Sequence, residues 1–274
     1  MIFEKQEENE LPRAWKLLRN RSKVFVEESQ FAEFLRRSGN HIYVSDSGAV
    51  AVLGRWRPHL SCLVIWEIVP AHAARAPVIR SLVESAEKEG FEQIASPLVN
   101  ETGARPYRES GFQSFQTITK MQKRGFDYPR VLKTVRIVPA EESLLEPLVD
   151  LERRAFSPFW WLDKDSFREF LRDHHFVVAL LKNGVVGYNI SNILGEQGTI
   201  YRLGVHPGYR GQGIGSQLLA EAIGWFARHR VKSIALTTQK ENQEGQRLYR
   251  KFGFEPLADD LHILVCEYDR SGVT

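Results

Sequence analysis

The chain has 274 residues, 43% hydrophobic and 26% charged, with a formal net charge of +3. That balance describes a globular chain long enough for one large or two small domains. The slight charge, with no basic run or RNA motif, argues against nucleic acid as a partner.

From the N-terminus, Met1-Ile2-Phe3-Glu4-Lys5-Gln6-Glu7-Glu8 is acidic and lacks the apolar stretch of a signal peptide. No segment approaches a membrane span, so a cytoplasmic protein is expected. Ser47-Gly48 reads as a hairpin-like turn between apolar runs. Cys62 to Ile68 reads as a strand that ends at Val69-Pro70. Cys62 and the distant Cys266 are flanked by apolar residues and read as buried free thiols. No spacing suits a metal. After the strand comes Ala71-His72-Ala73-Ala74-Arg75-Ala76-Pro77, without a glycine, and an amphipathic helix with Val78, Ile79, Leu82, Val83 and Ala86.

The segment from Asn100 to Phe112 aligns with Asn242 to Phe254 at a constant offset of 142, and seven of the thirteen positions are identical. The chain therefore reads as a tandem of two related domains. The first is expected over residues 1–125, a polar, turn-rich linker over 126–133, and the second over 134–274. A strand over 134–138 opens the second copy, followed by helices over 141–154 and 163–173, with Ser166 or Asp165 capping the latter. Between them Phe156, Phe159, Trp160 and Trp161 interrupt the helical pattern. A second hairpin over 177–181 and 185–189 turns at Asn183-Gly184. Residues 254–257 and 263–268 are expected to close the sheet of this copy. Each domain is thus α/β, a central mixed β-sheet flanked by α-helices.

The most informative stretch is Val205-His206-Pro207-Gly208-Tyr209-Arg210-Gly211-Gln212-Gly213-Ile214-Gly215. A β-branched strand from Thr199 leads into it. A helix leaves it, with Ile214, Leu218, Ala222 and Phe226 four apart and Leu219 and Ile223 beside them. Glycines strip the loop of side chains, the first helical N–H groups lack intrahelical partners, and the helix dipole adds positive potential there. Together these predict an anion cradle. No Lys-Ser or Lys-Thr follows the glycines, as a P-loop demands. The dinucleotide spacing G-x-G-x-x-G fails at Ser216 or Leu218.

Arg210-x-x-Gly213-x-Gly215 after that strand resembles the pyrophosphate loop of the GCN5-related N-acetyltransferase (GNAT) superfamily. So does the downstream order of Asn242, Tyr249 and Gly253-Phe254. The resemblance covers about residues 134–270. It implies two tandem GNAT-type domains with acetyl-CoA as cosubstrate and no metal. Arg210, Gly211, Gln212, Gly213, Ile214 and Gly215 would hold the diphosphate. The main chain of Leu203, Gly204 and Val205 would polarise the thioester carbonyl and pair with the pantetheine amides. A bulge eased by Gly204 would splay this strand from the next. Asn242 would bind the cofactor arm or a bridging water, and Tyr249 would protonate the departing thiolate, its phenol being protonated at neutral pH.

Tyr249 also suits a core position under the central helix, and Tyr107 holds the same place in the first copy. The four aromatics over 156–161 either border the acceptor cleft or plug the space between domains. No residue is a clear general base. Glu196, His206 and Tyr201 are the nearest candidates, Glu196 also suiting a turn and His206 a structural place. The first copy's loop offers Pro77 without an N–H and alanine methyls where phosphate would approach, so that copy is expected to have lost most cofactor affinity. The expected activity is transfer of acetyl to a primary amine, on a small molecule or a peptide N-terminus, by direct attack. The alternative is a coenzyme A-binding regulatory or scaffold protein without turnover.

Overall fold

In a computed structural model of the chain, the described residues are 3–5, 11–19, 22, 24–25, 27–36, 40–46, 48–57, 60–182 and 184–267. Met1, Ile2, Gln6, Glu7 and Glu8 of the N-terminal reading lie outside them, as do Ser47 and Asn183 of the two turns and Tyr268 of the last strand. The chain forms two compact units, one of residues 1–117 with 261–274, the other of residues 118–260.

The first unit holds strands β1 (Phe3–Lys5), β2 (His41–Ser45), β3 (Val50–Arg55), β4 (Cys62–Val69) and β5 (Gln93–Ala95), and helices α1 (Leu11–Leu18), α2 (Glu28–Arg36), α3 (Ala76–Lys88) and α4 (Glu101–Arg108). Strand β6 (Gln113–Lys123) starts here and ends in the second unit. There follow β7 (Arg136–Pro139), α5 (Leu145–Ala155), α6 (Lys164–Asp173), β8 (His175–Leu181), β9 (Gly184–Leu194) and β10 (Gln197–Val205). Then come α7 (Ile214–Arg228), β11 (Ser233–Gln239), α8 (Gln243–Lys251), β12 (Glu255–Pro256) and, back in the first unit, β13 (Leu261–Glu267).

Each unit carries the same strand order, β1-β2-β3-β4-β5-β13 in the first and β7-β8-β9-β10-β11-β6 in the second, where β12 also pairs β6. Every pairing described is antiparallel except β4 with β5 and β10 with β11. The central strands are buried on both faces, which is why they read as continuous apolar runs. In β3, Val50 and Val52 join one core while Ala51 and Leu53 join the other. In β8, Phe176 and Val178 meet α5 and α6, while Val177 and Ala179 meet α7.

The closing strands depart from expectation. β13 pairs with β5, Val265 opposite Ala95, instead of closing the second sheet. The second sheet is closed by the end of β6, where residues 118–123 pair with β11. The compact units therefore do not follow cuts at 125 and 134. Two related sheets offer equivalent edges, and a period-two pattern suits either, so local sequence carries nothing that selects one. The cap of α6 also differs. Asp163 Oδ1 accepts from Ser166 N–H (2.8 Å), whereas Asp165 lies inside the helix and pairs with Arg168.

Candidate active site

The centre of the second unit is the end of β10. Its parallel pairing with β11 runs only from Gln197 to Ile200, opposite Ser233 to Leu236. Beyond Ile200 the strands splay, and the edge of Leu203, Gly204 and Val205 has no β11 partner. The register against β9 slips between Ile200 and Arg202, which makes Tyr201 the bulged residue. The expected bulge thus exists but lies three residues before Gly204. Gly204 answers a different need. A methyl there would come within 2.5 Å of Tyr188 Cε1 and 3.2 Å of Phe156 Cε2, so it is a close-packing glycine.

Past Val205, His206 N–H donates to Val186 O (2.9 Å) and its Nδ1 accepts from Gly208 N–H (3.1 Å). His206 is therefore structural. Gly211 and Gly213 both take positive φ, +75° and +82°, and a methyl on either would meet nothing within 4 Å. The loop thus needs glycine for its path, and its outer face is open. The turn into α7 begins with Gln217 N–H to Gly213 O (3.0 Å). The N–H groups from Gly211 to Ser216 have no acceptor among the described residues. The first turn of α7 contains no acidic residue.

Arg210 docks beside this array. Its guanidinium donates to Ala155 O (3.2 Å) and lies 3.9 Å from Glu244. Its side chain is 43% exposed, so that pair is weak and exchangeable. Gln212 is exposed, and Thr134 Oγ1 donates to its carbonyl (3.4 Å). Ile214 is buried under the loop. Gly215 faces inward, where a methyl would come within 3.2 Å of Leu248 Cδ2, and lets α7 approach α8. Two glycines bare the loop, and the third serves packing. The groove of about 520 Å³ along α7, lined by Tyr128, Val131, Arg136, Gly224 and Arg228 among others, shares no residue with this loop.

Helix α8 stands on the far end of β11. Asn242 Oδ1 accepts from Gly245 N–H (3.0 Å) and its Nδ2 donates to Thr238 Oγ1 (3.1 Å). Gln246 Nε2 donates to Lys240 O (2.8 Å). Tyr249 is 8% exposed and sits edge-on to Phe254 at 6.0 Å. Its hydroxyl has no hydrogen-bond partner among the described residues. Burial pushes its phenol from the ordinary 10.0 up to about 12, a rise that the Arg202 charge opposes.

The first unit repeats the cap and the ring pair. Asn100 Oδ1 accepts from Gly103 N–H (2.9 Å), Tyr107 lies edge-on to Phe112 at 5.4 Å, and Gly111 and Gly253 take φ of +92° and +81°. The thirteen-residue repeat is therefore a folding unit made of an Asn cap, a buried tyrosine, a left-handed glycine and a phenylalanine. Replacing Asn100 or Asn242 by alanine is expected to cost about 1 kcal/mol each, read from urea denaturation.

The first unit also keeps a splay, since β4 pairs β5 only from Cys62 to Val64. Its loop differs. Arg75 N–H is taken by Ala73 O (2.8 Å), Ser110 Oγ donates to Ala76 O (3.1 Å), and no residue from Ala71 to Pro77 has positive φ. Burial raises the Cys62 thiol to about 12. Cys266, also a free thiol, is only half-buried, which departs from the expected pair of buried cysteines.

Sequence reading missed a buried polar cluster behind the bulge. Arg202 pairs with Glu152, and Tyr188 donates to the same carboxylate. Glu152 and Tyr188 are fully buried. Arg202 also donates to Trp160 O (2.9 Å), and its guanidinium lies 3.7 Å from the Phe156 ring centroid. Burial, then the Glu152 charge, holds the Tyr188 phenol far above its ordinary range. Phe156 and Trp160 of the aromatic stretch thus serve Arg202, and Trp161 Nε1 ties that loop to Phe156 O (2.8 Å). The only sequence signal was an acidic residue inside the apolar face of α5.

Glu196 pairs with Lys232 (2.7 Å) at the opposite end of β10, roughly 30 Å from Val205 at strand rise. That distance removes it as a base. Tyr201 is 53% exposed and meets His174 edge-on. His175 stacks flat on Trp225 at 4.4 Å and pairs with Glu221. Among the described residues no cluster of His, Cys, Asp or Glu could hold a metal, and no helix is long and apolar enough to cross a membrane.

A family model described as the acetyltransferase (GNAT) family matches residues 145–254. A Bacillus subtilis (strain 168) protein, provisionally named ribosomal protein bS18-alanine N-acetyltransferase, is 27% identical over 115 residues, 41% of this chain and 75% of its own length. An acetyltransferase of Sodalis glossinidius is 32% identical over 107 residues, 38% of this chain and 75% of its own. A solved tandem GNAT protein from the clavulanic acid biosynthesis pathway superposes with a TM-score of 0.70 at 14% identity, over 97% of each chain. At that identity the likeness is one of fold.

Proposed function

Because the chain belongs to the GNAT family of acetyltransferases, we propose that its second unit transfers acetyl from acetyl-CoA to a primary amine by direct attack. The acceptor is a small molecule or a peptide N-terminus. The observation that carries this reading is the run of unanswered N–H groups from Gly211 to Ser216 at the head of α7, with Arg210 beside it. Such an array suits a diphosphate, which offers many acceptor oxygens and negative charge to the helix dipole.

When bound, acetyl-CoA supplies an electrophilic thioester carbonyl and a thiolate leaving group. Arg210 and the main chain of Gly211, Gln212, Gly213, Ile214 and Gly215 grip the diphosphate. The free β10 edge at Leu203, Gly204 and Val205 offers main-chain groups to the donor's amides, and an N–H for the oxygen on which charge develops. Asn242, already committed to its cap and to Thr238, contributes by seating α8 on β11. That seat places Tyr249, whose uncommitted phenol would protonate the departing sulfur, while the proton shed by the attacking amine would pass to water and restore the phenol. The first unit, lacking such a loop, serves without a donor site of its own.

The relative named for an alanine of a ribosomal protein makes alanine-ended peptides natural members of an acceptor panel. The test measures thiol release from acetyl-CoA across small amines and such peptides. Amine-dependent release is expected. Calorimetric binding of coenzyme A without release on any amine would leave a coenzyme A-binding protein without turnover.

A further inference from the structure

The faces of β10 show what the bulge does. Gly198 faces Phe226 of α7, whose ring a methyl would approach to 2.5 Å, and Ile200 packs in the same core. Leu203 and Val205 also pack on the α7 side. Arg202 and Gly204 face the α5 side, toward Tyr188 and Phe156. In an unbroken strand Ile200 and Arg202 would share a face. Here the phase slips at Tyr201, and the parallel pairing with β11 stops at the same place.

The polar groups around this slip are buried and joined. Asn189 Nδ2 donates to Arg202 O (3.1 Å), and Ser191 Oγ donates to Asn189 Oδ1 (2.7 Å). Both side chains are fully buried on β9. Glu152, Tyr188 and Trp160 O hold the guanidinium. Returning β10 to regular register would flip Arg202 to the α7 side, among Leu219, Ile223 and Phe226. A guanidinium there would be buried without partners, which is far costlier than its present site. Register is strongly specified where a slip reverses every side chain.

We propose that Arg202, clamped by Glu152, Tyr188 and Trp160 and braced at its own carbonyl by Asn189, is a positioning residue that locks the bulge at Tyr201. The lock keeps the β10 edge from Leu203 to Val205 unpaired and available to the acyl donor. What that edge receives rests on the function proposed above. The lock itself does not.

Hydrogen exchange and coenzyme A calorimetry on the full chain test this. In Arg202→Met, exchange is expected to change in residues 201–206 while residues 197–200 and α7 keep their native pattern. Coenzyme A affinity should fall roughly tenfold or more, the scale of a lost charge-assisted hydrogen bond. Arg202→Lys, which keeps the charge but not the fork, should fall between. Unchanged exchange at 201–206, or a change spread evenly over β8 to β11, would show an ordinary core residue and overturn the proposal. Should Arg202→Met fail to fold, Tyr188→Phe, which removes the bonds of the phenol to Glu152 and from Arg202, and Glu152→Gln, which removes the carboxylate charge, loosen the clamp at nearly constant shape, and the same exchange pattern in them decides between the two outcomes. A native protein without coenzyme A affinity would refute the proposed function, while the exchange pattern would still decide the lock.

Discussion

Gly213→Val is expected to abolish coenzyme A binding while the chain remains folded. At φ +82° a β-branched residue is strained by about 1–2 kcal/mol. The loop relieves that strain by turning its peptides, which swings the N–H groups around Gly213 and Ile214 away from a common focus. Each N–H to phosphate bond is charge-assisted and contributes roughly 1.5–3 kcal/mol, so losing two weakens binding about a hundredfold or more. Ala74→Val in the first unit is expected to leave affinity native, because that loop has no left-handed residue to disturb. Titration calorimetry reads both variants. Two equal sites in the native protein would contradict the assignment of the donor to the second unit alone.

Tyr249→Phe is expected to lower turnover by roughly 10²–10⁴-fold with the donor's affinity unchanged, the range for loss of a general acid. The ring already fills its place in the core, so deleting one oxygen leaves the packing intact. A phenol held at about 12 stays protonated at every pH at which the chain is assayed, so its ionisation adds no limb to the pH–rate profile below about pH 10. The sign for stability follows from the same raised value. The unfolded phenol ionises first, so folding stability declines as pH rises from about 10 to about 12, and Tyr249→Phe removes that decline. Alkaline denaturation of the two proteins checks it. Unchanged turnover in the variant would take Tyr249 out of the acid role.

Much of the candidate site was legible because its chemistry is local. Gly211 and Gly213 bare the loop, and a strand before them with a helix after them states where the unpaired amides point. The repeat around Asn100 and Asn242 was equally visible, but its meaning was not. Resemblance implies that Asn242 binds the cofactor arm or a bridging water, and in the folded chain its side chain also caps α8 and holds Thr238. A cap and a ligand contact use the same amide, and sequence alone does not tell which partner reaches it. Gly204 and Gly215 carry a packing reason that the sequence does not display. Each is glycine because a neighbouring side chain occupies its Cβ position, and those neighbours, Tyr188 and Leu248, are remote in sequence.

Residue order alone shows a repeated α/β unit with a glycine-rich loop in the later copy and a glycine-free one in the earlier, since strand and helix periods and glycine positions are properties of neighbouring residues. Folding in three dimensions chose the rest. It sent the last strand to the first unit and β6 to the second, because matched sheet edges accept either strand. It also joined Glu152 to Arg202 across fifty residues and put the bulge at Tyr201, because a buried charge is stable only where distant partners converge on it.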